Sequence, residues 1–140
     1  MPGAVDREGP DWLPEHDSHG QLVFLVAEYF RFTRDRGLLA ELWPAVLRAV
    51  DYIESLRTQR LGPEFASGER NACYGILPES VSHEGYLAQP VHAYWDDFWA
   101  LRGLGDAVHL ARVLGDAEQE RRLSALRDDL QRCLYASIEA

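Results

Sequence analysis

The sequence predicts an all-α fold made of helical hairpins, and three observations predict it. Apolar residues recur at helical spacing in two amphipathic stripes, Leu39, Leu42, Val46, Ala49, Val50 and Ile53, then Leu123, Leu126, Leu130 and Leu134. Arg48, Asp51 and Glu54 stand opposite the first stripe and Arg121, Asp128 and Gln131 opposite the second, so each helix has one dry face and one wet face. Two other stretches, residues 22–27 and 94–104, are apolar around most of their circumference apart from Asp96, Asp97 and Arg102. No segment alternates apolar and polar residues as a half-buried strand does.

Taken in order, residues 1–17 read as an irregular N-terminal segment. A first helix runs from about Gly20 to Arg34. Asp35 is a good N-cap for a second helix, which runs to about Gln59. Pro44 lacks an amide N–H and crowds the preceding turn, which predicts a kink or a later helix start near Trp43. A third helix begins near Val91 and ends near Gly115, and a fourth follows Asp116 nearly to the C-terminus. The whole of 1–140 is one partial domain: hairpin 1 over 18–59, a long connection over 60–90, and hairpin 2 over 91–140.

A helix that is apolar all round is covered on most sides. The order along the chain is therefore inner, outer, inner, outer. The junctions match as well, with Asp35 opening one outer helix and Asp116 the other. Their spacing, a repeat of about 80 residues, is far longer than a tight helical solenoid uses. Two inner helices, each backed by an outer one, suit part of an (α/α)6 toroid, about two hairpins of six. Two hairpins do not close a ring, and unclosed inner helices expose a large apolar surface. The expectation is that further hairpins exist elsewhere in a longer chain or in partner subunits, and that the inner faces drive self-association.

Composition narrows the function. The formal net charge is −9, and the arginines are spread over helix faces beside Glu or Asp, which argues against a nucleic-acid surface. Cys73 and Cys133 lack the spacing of a disulfide framework or a zinc site. The pairs His16/His19 and His83/His92 offer metal-ligand types without a zinc spacing, so no metal and no cofactor is expected. The N-terminus has neither a basic nor an apolar signal region, and no stretch is apolar enough to span a bilayer. These features predict a cytoplasmic location without membrane contact.

The connection over 60–90 is longer than compact domains ordinarily tolerate, and such segments are often functional. It carries Glu79, His83, Glu84 and Tyr86, is followed by His92, and delivers the chain to YWDDFW at the start of the third helix. Adjacent helical residues point about 100° apart, so Asp96 and Asp97 cannot both aim at one atom. Asp96 lies above Ala100, Gly103 and Ala107, a face small enough for close helix packing; Asp97 lies above Leu101, Leu104 and Val108. Both acids sit in a first turn, where the helix dipole favours them. Their aromatic neighbours Trp95, Phe98 and Trp99 suggest a further use, because carboxylates among bulky apolar groups are costly unless paired or employed. Glycoside hydrolysis needs two such carboxyl groups, and Glu79, Glu84, Asp96, Asp97, Glu15 and Asp17 are the candidates. Tyr86, Tyr94, Trp95 and Trp99 could stack on sugar rings, although core packing is the expected role of Trp99 and Phe98.

The strings EHDSHGQLVFLVAEYFRFTRDRGLLAELWPAVLRAVDYIESLR and GILPESVSHEGYLAQPVHAYWDDFWALRGLGDA resemble the catalytic toroid of bacterial six-hairpin glycosidases, a superfamily with glucoamylase-like, trehalase-like and rhamnosidase-like members. The resemblance runs from Trp12 onward, and LPES, SHEGY and YWDDFW carry most of it. It implies a fragment of a glycoside hydrolase that uses carboxylate acid/base catalysis on a carbohydrate substrate and is weakly active or inactive alone. It places Trp95 and Asp96 in the sugar subsite with Asp97 close by, and puts Glu79 and residues 83–86 on the rim. The resulting catalytic candidates are Asp96, Asp97 and Glu79; the substrate-binding candidates are Trp95, Tyr94, Tyr86, His83, Glu84 and His92. The alternative is a non-catalytic helical module that binds carbohydrate or another protein.

Overall fold

The computed structural model describes residues 4–6, 9–11, 15–81 and 90–140. Apart from one short ribbon, all their regular structure is helical: α1 (Asp17–Thr33), α2 (Arg36–Thr58), α3 (Tyr94–Leu114) and α4 (Ala117–Glu139), with a 3-10 turn over Gly68–Cys73 in the long connection. The ribbon pairs β1 (Ala4–Asp6) antiparallel with β2 (Gly9–Asp11), in a segment expected to be irregular. Three residues per strand are too few to leave a period-two pattern in a sequence. Gly9 sits at a φ of 118°, a conformation open to glycine.

The helix boundaries follow from local chemistry. The Asp35 carboxylate accepts the Leu38 N–H at 3.0 Å, and the Asp116 carboxylate accepts the Gln119 N–H at 3.1 Å, so both matched aspartates are N-caps. Helix α2 runs unbroken through Pro44, and the later start near Trp43 does not occur. Gly115 closes α3 at a φ of 81°. Asp116 has a second task, because its other oxygen accepts the Trp43 indole N–H at 3.2 Å and joins α4 to α2. Asp116→Ala is therefore expected to cost about 2 kcal/mol, against about 1 kcal/mol for Asp35→Ala. Urea unfolding of the two variants measures this, and equal losses would show that the Trp43 bond contributes nothing.

Helices α1 and α3 form the centre, with α2 packed on α1 and α4 on α3. The small face of α3 is what allows this. A Cβ on Gly20 would stand 2.1 Å from the Trp99 carbonyl oxygen, and one on Gly103 would stand 2.8 Å from the Gly20 Cα. The two backbones meet there, flanked by the buried Ala100 and Ala107. The stripes of α2 and α4 bury Leu39, Val46, Val50, Ile53, Leu123 and Leu130 in the same core.

The inner helices are covered on one side only. Leu25 and Phe32 of α1 are 64% and 85% exposed, and Trp95 and Phe98 of α3 are 45% and 51% exposed. Phe98 thus lies outside the core expected for it, because α2 and α4 both back the far side of the α1/α3 layer. Arg102–Asp106 is more than a pair along one helix. Arg31 bonds Glu28 and the buried Asp106, and Arg102 bonds Asp106 at 2.8 Å and reaches Glu28 at 3.6 Å, so four charges knit α1 to α3. No helix of the described residues is long and apolar enough to cross a membrane.

Candidate functional site

The long connection returns to the end of α2 and is fastened there. The buried Arg57 donates from Nε to the Gly75 carbonyl at 2.7 Å and from a terminal nitrogen to Asp129 at 2.7 Å. The Gly75 N–H bonds the Arg60 carbonyl at 3.0 Å. Ile76 and Leu77 then bury, and residues 77–80 pass across the first turn of α3. There the Leu77 N–H donates to Asp97 at 2.9 Å, and the Ser80 hydroxyl donates to Asp96 at 2.5 Å. The two adjacent acids thus serve different partners, as their angular separation on a helix requires.

Ser80 also forms an antiparallel bridge with Val91, each N–H bonding the other's carbonyl, at 3.0 and 2.9 Å. Glu79 and His92 are the next cross-strand pair outward, and such neighbours bring their side chains close. His92 Nε2 lies 3.1 Å from Glu79 Oε1, while Arg60 bonds Oε2. Arg60 in turn rests on the Phe65 ring, 4.9 Å from its centroid.

This arrangement lines a solvent-open cleft of about 570 Å³. Tyr52 and Leu56 of α2 line it together with Gln59 and Arg60 just beyond that helix, Pro78 and Glu79, and His16 and Pro90. The volume falls within the range of about 300–1,000 Å³ usual for small-molecule sites. Burial alone would raise the Glu79 carboxyl, but its own backbone N–H, His92 and Arg60 together outweigh that and hold it below the usual carboxylate range. Burial lowers His16 despite the Glu79 carbonyl and Asp17, which favours the neutral ring. The Glu79 carboxylate and the Arg60 guanidinium thus stand together on this cleft, with His92 beside them. Two buried polar atoms lack a hydrogen-bond partner among the described residues, His16 Nδ1 and Arg60 Nε, and both belong to residues lining this cleft.

The expected site residues separate into groups. Glu79 and His92 come together beside the cleft. Asp96 and Asp97 lie beneath the 77–80 segment at 5% and 2% exposure and do not line the cleft. Burial pushes Asp97 up to about 7, with Asp96 adding to the rise and the Leu77 N–H and Arg57 opposing it. Trp95 donates its indole N–H to the buried Asp17 at 2.8 Å, and the Tyr94 hydroxyl reaches Ser137 Oγ at 2.9 Å. Both residues therefore anchor α3 to neighbouring helices. His83, Glu84 and Tyr86 lie outside the described residues. Among the described residues no three His, Cys, Asp or Glu side chains are grouped to hold a metal ion.

Sequence reasoning missed Arg60 and Tyr52, and it gave His16 a hydrogen-bonding or capping role in preference to metal binding, with no place in a cleft. Tyr52 stacks on His19 with ring centroids 4.2 Å apart, and burial lowers His19 to about 4. The clustering of Glu15, His16 and Asp17 at the start of α1 was the available signal for this end of the cleft. Compared with protein families, curated proteins and solved structures, the chain matches none.

Proposed function

We propose that this chain is part of the wall of a carbohydrate-hydrolysing (α/α)6 toroid, with Glu79 as its ionised carboxylate. The observation that carries the reading is the Glu79 side chain on a cleft of sugar size, gripped by Arg60 on one oxygen and His92 on the other. An ionised carboxylate only accepts hydrogen bonds, so Glu79 anchors sugar hydroxyls or takes a proton from water. It does not serve as the general acid, which needs a raised pKa.

Asp97 has the environment of such an acid, but it is buried against the Leu77 amide. The acid then comes from a further hairpin of the ring. Alone, the chain binds sugar and hydrolyses it weakly or not at all, the behaviour of the alternative carbohydrate-binding module.

The test is a titration of the isotope-labelled chain with a panel of neutral methyl hexopyranosides, followed by NMR. At least one sugar is expected to shift the amides of Tyr52, Arg60 and Glu79. Glu79→Gln should weaken that sugar about tenfold, the value of one charge-assisted hydrogen bond. Saturating sugar that leaves these amides unmoved would sink the reading.

A further inference from the structure

We propose that Asp96 and Asp97 are positioning residues: they latch the 77–80 segment onto α3 and so fix where Glu79 stands in the cleft. This inference rests on the reading of that cleft as the sugar site. Its geometry is a short chain of bonds. Asp97 holds the Leu77 amide, and Asp96 holds the Ser80 hydroxyl. Ser80 holds Val91 through both backbone bonds. Glu79 lies between the two latched residues, and His92 follows Val91, so the latch sets both members of the Glu79–His92 pair.

Both acids and Ser80 are buried, and none of the three lines the cleft. A sugar in the cleft therefore meets Glu79 and not the aspartates that hold it. Asp17 plays a comparable part for Trp95 in the same turn of α3.

The two roles separate by substitution in the full chain. Asparagine keeps an acceptor for the Leu77 N–H and the Ser80 O–H, whereas alanine removes it. A positioning role predicts that Asp96→Asn and Asp97→Asn stay within about twofold of the wild-type affinity for the methyl hexopyranosides, while Asp96→Ala and Asp97→Ala lose about tenfold. The alanine variants should also show faster amide exchange at Ser80 and Val91 and a moved Glu79 carboxyl resonance. Asparagine variants that lose as much affinity as alanine, with exchange unchanged, would overturn the proposal, because direct use of an acid needs the carboxyl itself.

Should no sugar of the panel bind the wild type, the functional reading falls on its own. The exchange rates and the Glu79 resonance still decide the latch: a change in the alanine variants supports it and no change overturns it. Should Asp97→Ala fail to fold, Ser80→Ala removes only the hydroxyl over Asp96 and is read in the same way.

Discussion

Gly20→Ala is expected to destabilise the fold by about 3 kcal/mol or more, with Tm falling on the order of 10 °C. In a solvent-exposed helix the same change would stabilise by about 1 kcal/mol, since alanine loses less backbone freedom than glycine. The local geometry reverses the sign. The added methyl would stand 2.1 Å from the Trp99 carbonyl oxygen and 2.9 Å from the Ala100 nitrogen, and backbone atoms do not rotate out of the way. Helix α3 would have to move off α1, opening the core around Val23, Ala27 and Ala107. Gly105, also in α3, is the internal control, because a Cβ there meets nothing within 4 Å. Gly105→Ala should raise stability by about 1 kcal/mol. Thermal unfolding of both variants measures the pair; equal and small shifts would show that α1 and α3 do not meet at this crossing.

The second large effect is a pH dependence removed by Asp97→Asn. An aspartate in the unfolded chain titrates near 3.8, and Asp97 in the fold titrates at about 7 because burial penalises its charge. Between those values the folded state keeps a proton that the unfolded state has released. Stability from this group is therefore highest below about pH 4, falls as pH rises to about 7, and is flat beyond. The gap corresponds to on the order of 4 kcal/mol. Glu79 works in the opposite direction, its stabilisation being lost as pH falls, and its part is smaller because the side chain is half exposed.

Asparagine is uncharged throughout and still accepts from Leu77. The variant is expected to match the wild type near pH 4 and to exceed it by a few kcal/mol at pH 8. Urea unfolding at the two pH values reads the difference directly. The same gap at both would mean that Asp97 does not titrate in this range.

The parts of the fold legible in the sequence are those that local physics decides. The stripes of α2 and α4 declare a wet and a dry face, and Asp35 and Asp116 cap the helices that follow them. The run Ala100, Gly103, Ala107 marks the surface where another helix comes close. What was not legible is what distant segments decide. Nothing in YWDDFW says that its acids meet Leu77 and Ser80, some 16 to 20 residues earlier, and not a ligand. The aromatics beside them pointed to a pocket, yet Trp95 and Tyr94 spend their polar atoms on Asp17 and Ser137. Arg60 and Tyr52 reach the cleft only because α2 ends there, which no spacing along the chain encodes. The 3-10 turn over Gly68–Cys73 and the three-residue ribbon are too short to leave a period.

The Ser80–Val91 bridge has a consequence for how such a site can diversify. Side chains alternate between faces along paired strands, so a slip of one residue would turn Glu79 and His92 away from each other. The pairing is held by the backbone bonds of Ser80 and Val91, and Glu79 and His92 take their places from it. Substitutions that keep the Ser80–Val91 register therefore leave the Glu79–His92 contact in place, and those that break it do not.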